Sequence, residues 1–146
     1  MKNADNAVAK FTEGFNCAQS VFSSFCDILG IEKDTALRIA TGFGSGMARK
    51  QEVCGAVTGA IMVIGARYGR SNSESAERTG ETYEKVRLLM DSFAREYGTW
   101  NCRDLLEGCD LNTPEGQREI SEKDLSNKVC RRCVKSAAEM VEELLR

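Results

Sequence analysis

Cys54-Gly55-Ala56-Val57-Thr58-Gly59-Ala60-Ile61-Met62-Val63-Ile64-Gly65-Ala66-Arg67-Tyr68 is the stretch on which the fold turns. Extended back to Glu52, it is apolar on nearly every side, and a helix of that kind belongs in the middle of a bundle. Ile61-Met62-Val63-Ile64 alone would also suit a buried strand, because periodicity does not separate the two. The alanines and glycines on either side favour helix. Gly55, Ala56, Gly59 and Ala60 give it a small-residue surface that allows close backbone approach. That surface either serves helix packing alone or also brings another helix's cysteine beside Cys54.

Working outward, helices are expected on both sides. A short one runs from about Ala4 to Thr12. Asn16 and Gln19 have the spacing of a capping box, and Ala18, Val21, Phe22, Phe25 and Leu29 follow as an apolar stripe stopped by Gly30. Asp34 can cap a shorter helix through Ile39. Gly42-Phe43-Gly44-Ser45-Gly46 lacks both the Gly-Lys-Ser/Thr of a P-loop and the dinucleotide spacing, so it reads as a tight connection rather than a phosphate cradle. Beyond the central helix, Ser73–Gly80 is polar and reads as a loop. Tyr83, Val86, Met90, Phe93 and Tyr97 then recur at three and four as a bundle seam ended by Gly98. Asn101 and Asp104 begin a short helical turn, and Thr113-Pro114 another. The last helix starts near Ser126 with Val134, Ala137, Val141 and Leu144 on one stripe. With one proline and no repeat or linker, residues 1–146 read as one all-α domain, a compact bundle of about five to seven helices.

Composition narrows the function. The 146 residues carry a net charge of −2, with no broadly basic face for nucleic acid. No apolar run reaches the roughly 18 residues that membrane insertion needs. The opening residues show no export signal, which makes the cytoplasm the expected location. Histidine is absent. That removes Cys-His and Ser-His nucleophile pairs, histidine-containing zinc sites and the Cys-x-x-Cys-His attachment of haem c. Acidic residues are plentiful, but none pairs with another in an apolar setting as a hydrolase would need.

The chemistry lies in seven cysteines. Cys17 follows the cap Asn16, Cys54 falls in the first turn of the central helix, and Cys102 follows the cap Asn101. Helix starts stabilise a thiolate and lower its pKa. Arg49, Lys50, Arg103, Arg131 and Arg132 act in the same direction. Cys130 precedes Val134 by one turn and should point inward. Cys130-Arg131-Arg132-Cys133 is a Cys-x-x-Cys pair inside a helix, without the strand that a thioredoxin-like centre requires. Its two thiols share a face and could ligate one metal or form a strained bridge. Cys26 and Cys109 read as buried or loop residues without a chemical role.

Asn16-Cys17-Ala18-Gln19, Cys54-Gly55-Ala56-Val57-Thr58-Gly59, Cys102, and Cys130 leading into Val134 and Ala137-Ala138-Glu139 together resemble a known family. These are the small bacterial and archaeal redox-active proteins named for the pattern C_GCAxxG_C_C. The resemblance covers roughly Gly14 to Leu145. It implies four family cysteines at Cys17, Cys54, Cys102 and Cys130, with Cys133 as a substitute for Cys130. Cys26 and Cys109 are then peripheral. Related domains joined to c-type haem modules suggest electron-transfer surroundings, although this chain has no haem motif.

The expected function is therefore redox chemistry by clustered cysteines. Cys54 is the low-pKa member, and Cys17, Cys102 and Cys130 gather around it. One pair could cycle between dithiol and disulfide, or all four could carry an iron–sulfur cluster. A Cys₄ zinc site ranks lower, since only Cys130 and Cys133 have the usual local spacing. An interaction module is the reading from another class, with the small-residue face and the Tyr83 helix forming a homodimer. The redox partner protein is left unnamed.

Overall fold

The computed structural model describes residues 2–146, in which nine right-handed α-helices are joined by short connections. They are α1 (Lys2–Thr12), α2 (Cys17–Ser23), α3 (Cys26–Leu29), α4 (Lys33–Ala40), α5 (Gly55–Tyr68), α6 (Glu77–Tyr97), α7 (Cys102–Leu105), α8 (Pro114–Glu122) and α9 (Arg131–Leu144). The number exceeds the expected five to seven because single turns such as α3 and α7 stand apart. Among the described residues the one β feature is an isolated antiparallel bridge between Val53 and Asn101. No described helix is long and apolar enough to cross a membrane.

Local signals set most boundaries. The Asn16 side chain accepts the Gln19 N–H at 2.9 Å while Gln19 accepts the Asn16 N–H at 3.1 Å, a complete capping box. The stripe that follows does not form one helix. The Ser24 hydroxyl donates to the Val21 carbonyl at 2.7 Å, competing with the backbone ladder, and the chain breaks between α2 and α3. Gly30, at φ 69°, closes α3. Glu32 rather than Asp34 caps α4, because its longer carboxylate reaches the N–H groups of Asp34 and Thr35 at 2.7 and 3.1 Å. Helix α6 begins inside the stretch read as a loop. Its buried residues are Leu89 and Phe93, whereas Tyr83 is 61% exposed. A 3.6-residue period carries Tyr83 away from the stripe that passes through Phe93.

At the centre, α2 packs along α5, α1 along α9, and α5 also meets α6 and α9. Gly59 is what lets α2 in: a Cβ there would lie 2.7 Å from the Ala18 carbonyl oxygen. A Cβ at Gly55 would lie 3.1 Å from the Ala18 nitrogen and 3.2 Å from the Cys17 Cβ. The small-residue face is thus occupied within the chain, with Ala56 and Ala60 fully buried. A homodimer would have to use another surface.

The glycine-rich connection is one left-handed helical turn. Ser45, Gly46, Met47, Ala48 and Arg49 all have φ between 51° and 68°, and Gln51 follows at 58°. Each non-glycine residue in that region costs about 1–2 kcal/mol. The buried Gln51 amide holds the turn down, donating to the Cys109 carbonyl at 2.7 Å and accepting the Leu111 N–H at 2.9 Å. Asn112 adds a hydrogen bond to the Arg49 carbonyl at 2.8 Å. Gly46 sits under the site described next, where a Cβ would meet the Cys102 Cβ at 2.8 Å.

Candidate thiol site

The site assembles around the start of α5. Residues 52–54 are extended rather than helical: Cys54 N–H donates to the Trp100 carbonyl at 2.8 Å and Cys102 N–H to the Glu52 carbonyl at 2.6 Å. Cys54 is therefore the N-cap residue of α5, one position outside the helix in which the sequence had placed it. The N-cap side chain is the one that folds back on the free amides of the first turn. Helix α2 brings Cys17 in across Gly55. The last helix enters through a π-turn, Ser126–Cys130, whose wide ring ends on Cys130. One turn further on, Cys133 is fully buried. All seven cysteines are free thiols.

Five of them interact. The neighbouring Cys133 thiol is the main cause that holds the Cys54 pKa below the ordinary thiol value. The Ala56 and Val57 N–H groups reinforce it against the opposing effect of burial. Cys133 is correspondingly pushed far up, by the neighbouring Cys54 thiol, by burial and by the charges of Cys54 and Cys130. Cys17 and Cys130 repeat the arrangement. Cys17, chiefly through the neighbouring Cys130 thiol, is raised well above its ordinary value, while Cys130 is lowered, chiefly through Cys17. Cys102 makes no such pair, and burial, aided by the charges of Cys54 and Cys130, pushes it up to about 12.

The cysteines at helix starts therefore do not behave alike. At Cys17 and Cys102 the caps Asn16 and Asn101 take the Gln19 and Asp104 amides, and no backbone N–H lowers the pKa of either sulfur. Of these three, only Cys54 has first-turn amides, Ala56 and Val57, that lower its pKa. Cys133, which the resemblance had set aside as a substitute, lies against Cys54 in addition to Cys130 lying against Cys17. Gln51, which anchors the turn beneath Cys102, has no signature in the sequence. Cys26 is buried in the main core, with Sγ 3.7 Å from the Phe22 carbonyl, and Cys109 lies in a small separate cluster with Leu106 and Leu125.

The two pairs differ in access. Cys17 and Cys130 are partly exposed and border a cavity of about 190 Å³ lined by Phe11, Leu106, Leu111 and Ile120. Cys54 and Cys133 are buried. Five thiols are a chemically suitable donor set for iron–sulfur or zinc. As they are arranged, however, no group of three or more Cys, Asp or Glu side chains among the described residues could hold a metal ion.

A relative in Archaeoglobus fulgidus (strain ATCC 49558 / DSM 4304 / JCM 9628 / NBRC 100126 / VC-16), described as an uncharacterized protein, is 28% identical over 135 residues. The match spans 84% of this chain and 88% of the relative. No solved structure matches the chain. One family's sequence model matches residues 15–144, the stretch that holds every thiol of the site. The chain therefore belongs to that family, whose description reads "Putative redox-active protein (C_GCAxxG_C_C)".

Proposed function

We propose that the protein is a dithiol–disulfide redox protein whose reacting pairs are Cys17/Cys130 and Cys54/Cys133. The observation that supports this reading is the pairing itself: in each pair one sulfur is held as the better thiolate and the other keeps a proton to give. That is the division of labour that thiol–disulfide exchange requires. The outer pair reacts with substrate. The Cys130 thiolate attacks a substrate disulfide, forming a mixed disulfide and expelling the first substrate thiolate, which takes the Cys17 proton. Cys17 then attacks the Cys130 sulfur and expels the second thiolate. Two electrons pass to the substrate, and a Cys17–Cys130 disulfide remains.

The inner pair restores the outer one. The Cys54 thiolate attacks Cys17, releasing Cys130. Cys133 then attacks Cys54, releasing Cys17, and the oxidised bond ends buried as Cys54–Cys133. Cys102, protonated up to about 12, is not a nucleophile at neutral pH.

The test is peptide mapping of protein purified and reduced without oxygen, then exposed for graded times to bis(2-hydroxyethyl) disulfide. Cys17–Cys130 should appear first and Cys54–Cys133 later. Mixed disulfides that never resolve into these two bridges would sink the proposal. Stoichiometric iron and labile sulfide in the same preparation would transfer Cys17, Cys54, Cys102 and Cys130 to the cluster reading.

A further inference from the structure

The cavity beside Cys17 and Cys130 adjoins a second hollow. It shares Phe11 and Ser126 with a groove of about 400 Å³, lined also by Thr12, Phe15, Asn127 and Arg131. Arg131 in turn borders a third hollow of about 320 Å³ together with Arg132, Lys135, Val8 and Asp5. Each hollow thus shares a wall with the next, near α1 and the entry to α9, and the character of the walls differs between them. At the thiols the walls are mostly apolar, with Phe11, Leu106, Leu111 and Ile120 beside Asn16, Ser45 and Ser126. At the far end they carry three cations and a single acid, Asp5. Arg131, Arg132 and Lys135 are exposed, and among the described residues none of them enters an ion pair. On a chain of net charge −2, three unpartnered cations at one end of a groove leading to thiols form a local field of the opposite sign.

We propose that this trough binds a small organic disulfide with an apolar reacting end and an anionic tail, the sulfur seated between Cys17 and Cys130 and the tail lying toward Arg131, Arg132 and Lys135. The inference rests on the reading of Cys17/Cys130 as the reacting pair and names the substrate class of that pair. About 190 Å³ with apolar walls admits a short carbon chain next to the sulfur but not a bulky polar peptide around it. The charge then has to lie farther along the groove. Exchange is as written above: the Cys130 thiolate breaks the substrate S–S bond, Cys17 completes the protein disulfide, and two anionic thiols leave.

The experiment compares three short disulfides that differ in tail charge: 3,3′-dithiodipropionate (anionic), bis(2-hydroxyethyl) disulfide (neutral) and cystamine (cationic). The reduced protein is mixed with each, and the second-order rate of Cys17–Cys130 formation is measured. A bare thiolate repels the anionic compound, so an intrinsic reaction would disfavour it. The trough should reverse that order, with the anionic disulfide faster than the neutral one by about tenfold at low salt. The advantage should shrink as ionic strength rises. In the triple variant R131Q, R132Q, K135Q the anionic-to-neutral rate ratio should fall to one or below. Equal rates in the unsubstituted protein, or a ratio that survives the triple substitution, would overturn the inference while leaving the redox reading intact. If none of the three oxidises Cys17 and Cys130, the redox reading falls and this inference with it.

Discussion

Cys54 owes its acidity to one backbone choice and one neighbour. Its residue stays extended at the start of α5, where the Ala56 and Val57 amides and the Cys133 thiol from α9 all lower its pKa. Cys133 is the larger cause, so Cys133→Ala should move the Cys54 titration upward in pH-dependent alkylation of the reduced protein. An unchanged or lower midpoint would show that the amides alone set it. Cys102 supplies a prediction of opposite sign for stability. Its thiol ionises near 9.0 when unfolded but holds its proton to about 12 in the fold. Between those values the unfolded chain binds fewer protons, so its contribution to stability is complete below 9 and is lost as pH rises toward about 12. The urea midpoint of reduced protein should fall across that window, and fall less in Cys102→Ala. An identical slope in the variant would remove Cys102 from the explanation.

Among the elements, the boundaries that depend on two or three adjacent residues were legible in the sequence. Asn16 with Gln19, Thr113 with Pro114, and the stops at Gly30 and Gly98 carry their own hydrogen bonds or backbone freedom. The left-handed turn over Ser45–Arg49 was not, because its retention depends on Gln51 reaching Cys109 and Leu111, far along the chain. The inward place of Cys133 was hidden for a related reason: it depends on which helices face α9, and a Cys-x-x-Cys spacing does not report that. Gln51→Ala would strand the Cys109 carbonyl and the Leu111 amide together. A loss of about 2–4 kcal/mol is expected in urea unfolding, and a loss below about 1 kcal/mol would mean that the turn holds itself. The glycines of α5 make a matched pair. Gly59→Ala presses a methyl toward the Ala18 carbonyl and should cost about 1–3 kcal/mol. Gly65→Ala, with nothing within 4 Å of the new Cβ, should instead stabilise the helix by up to about 1 kcal/mol.

Across the whole molecule, the thiols tie together parts of the chain that meet only in the fold. Cys17 lies at the start of α2, Cys54 at the start of α5, and Cys130 and Cys133 at the entry to α9, and these three helices pack on one another. Oxidation of the proposed pairs would therefore close long loops, of roughly 110 residues for Cys17–Cys130 and roughly 80 for Cys54–Cys133. In the chain-entropy view each closure removes unfolded-state freedom equivalent to about 4–5 kcal/mol, less any strain introduced into the native state. Redox state and stability are then coupled in this protein. The oxidised form should resist urea and heat better than the reduced form, and Cys17→Ser should abolish the outer pair's share of the gain. Equilibrium unfolding of fully reduced and fully oxidised protein, with bridges verified by peptide mapping, measures the difference. A higher midpoint after oxidation means that the helices already stand where the bridges need them, so electrons can enter and leave without repacking the bundle. A lower midpoint means that each bridge strains α2 or α9 away from α5, and the pairing of Cys17 with Cys130 and Cys54 with Cys133 would then be the wrong one.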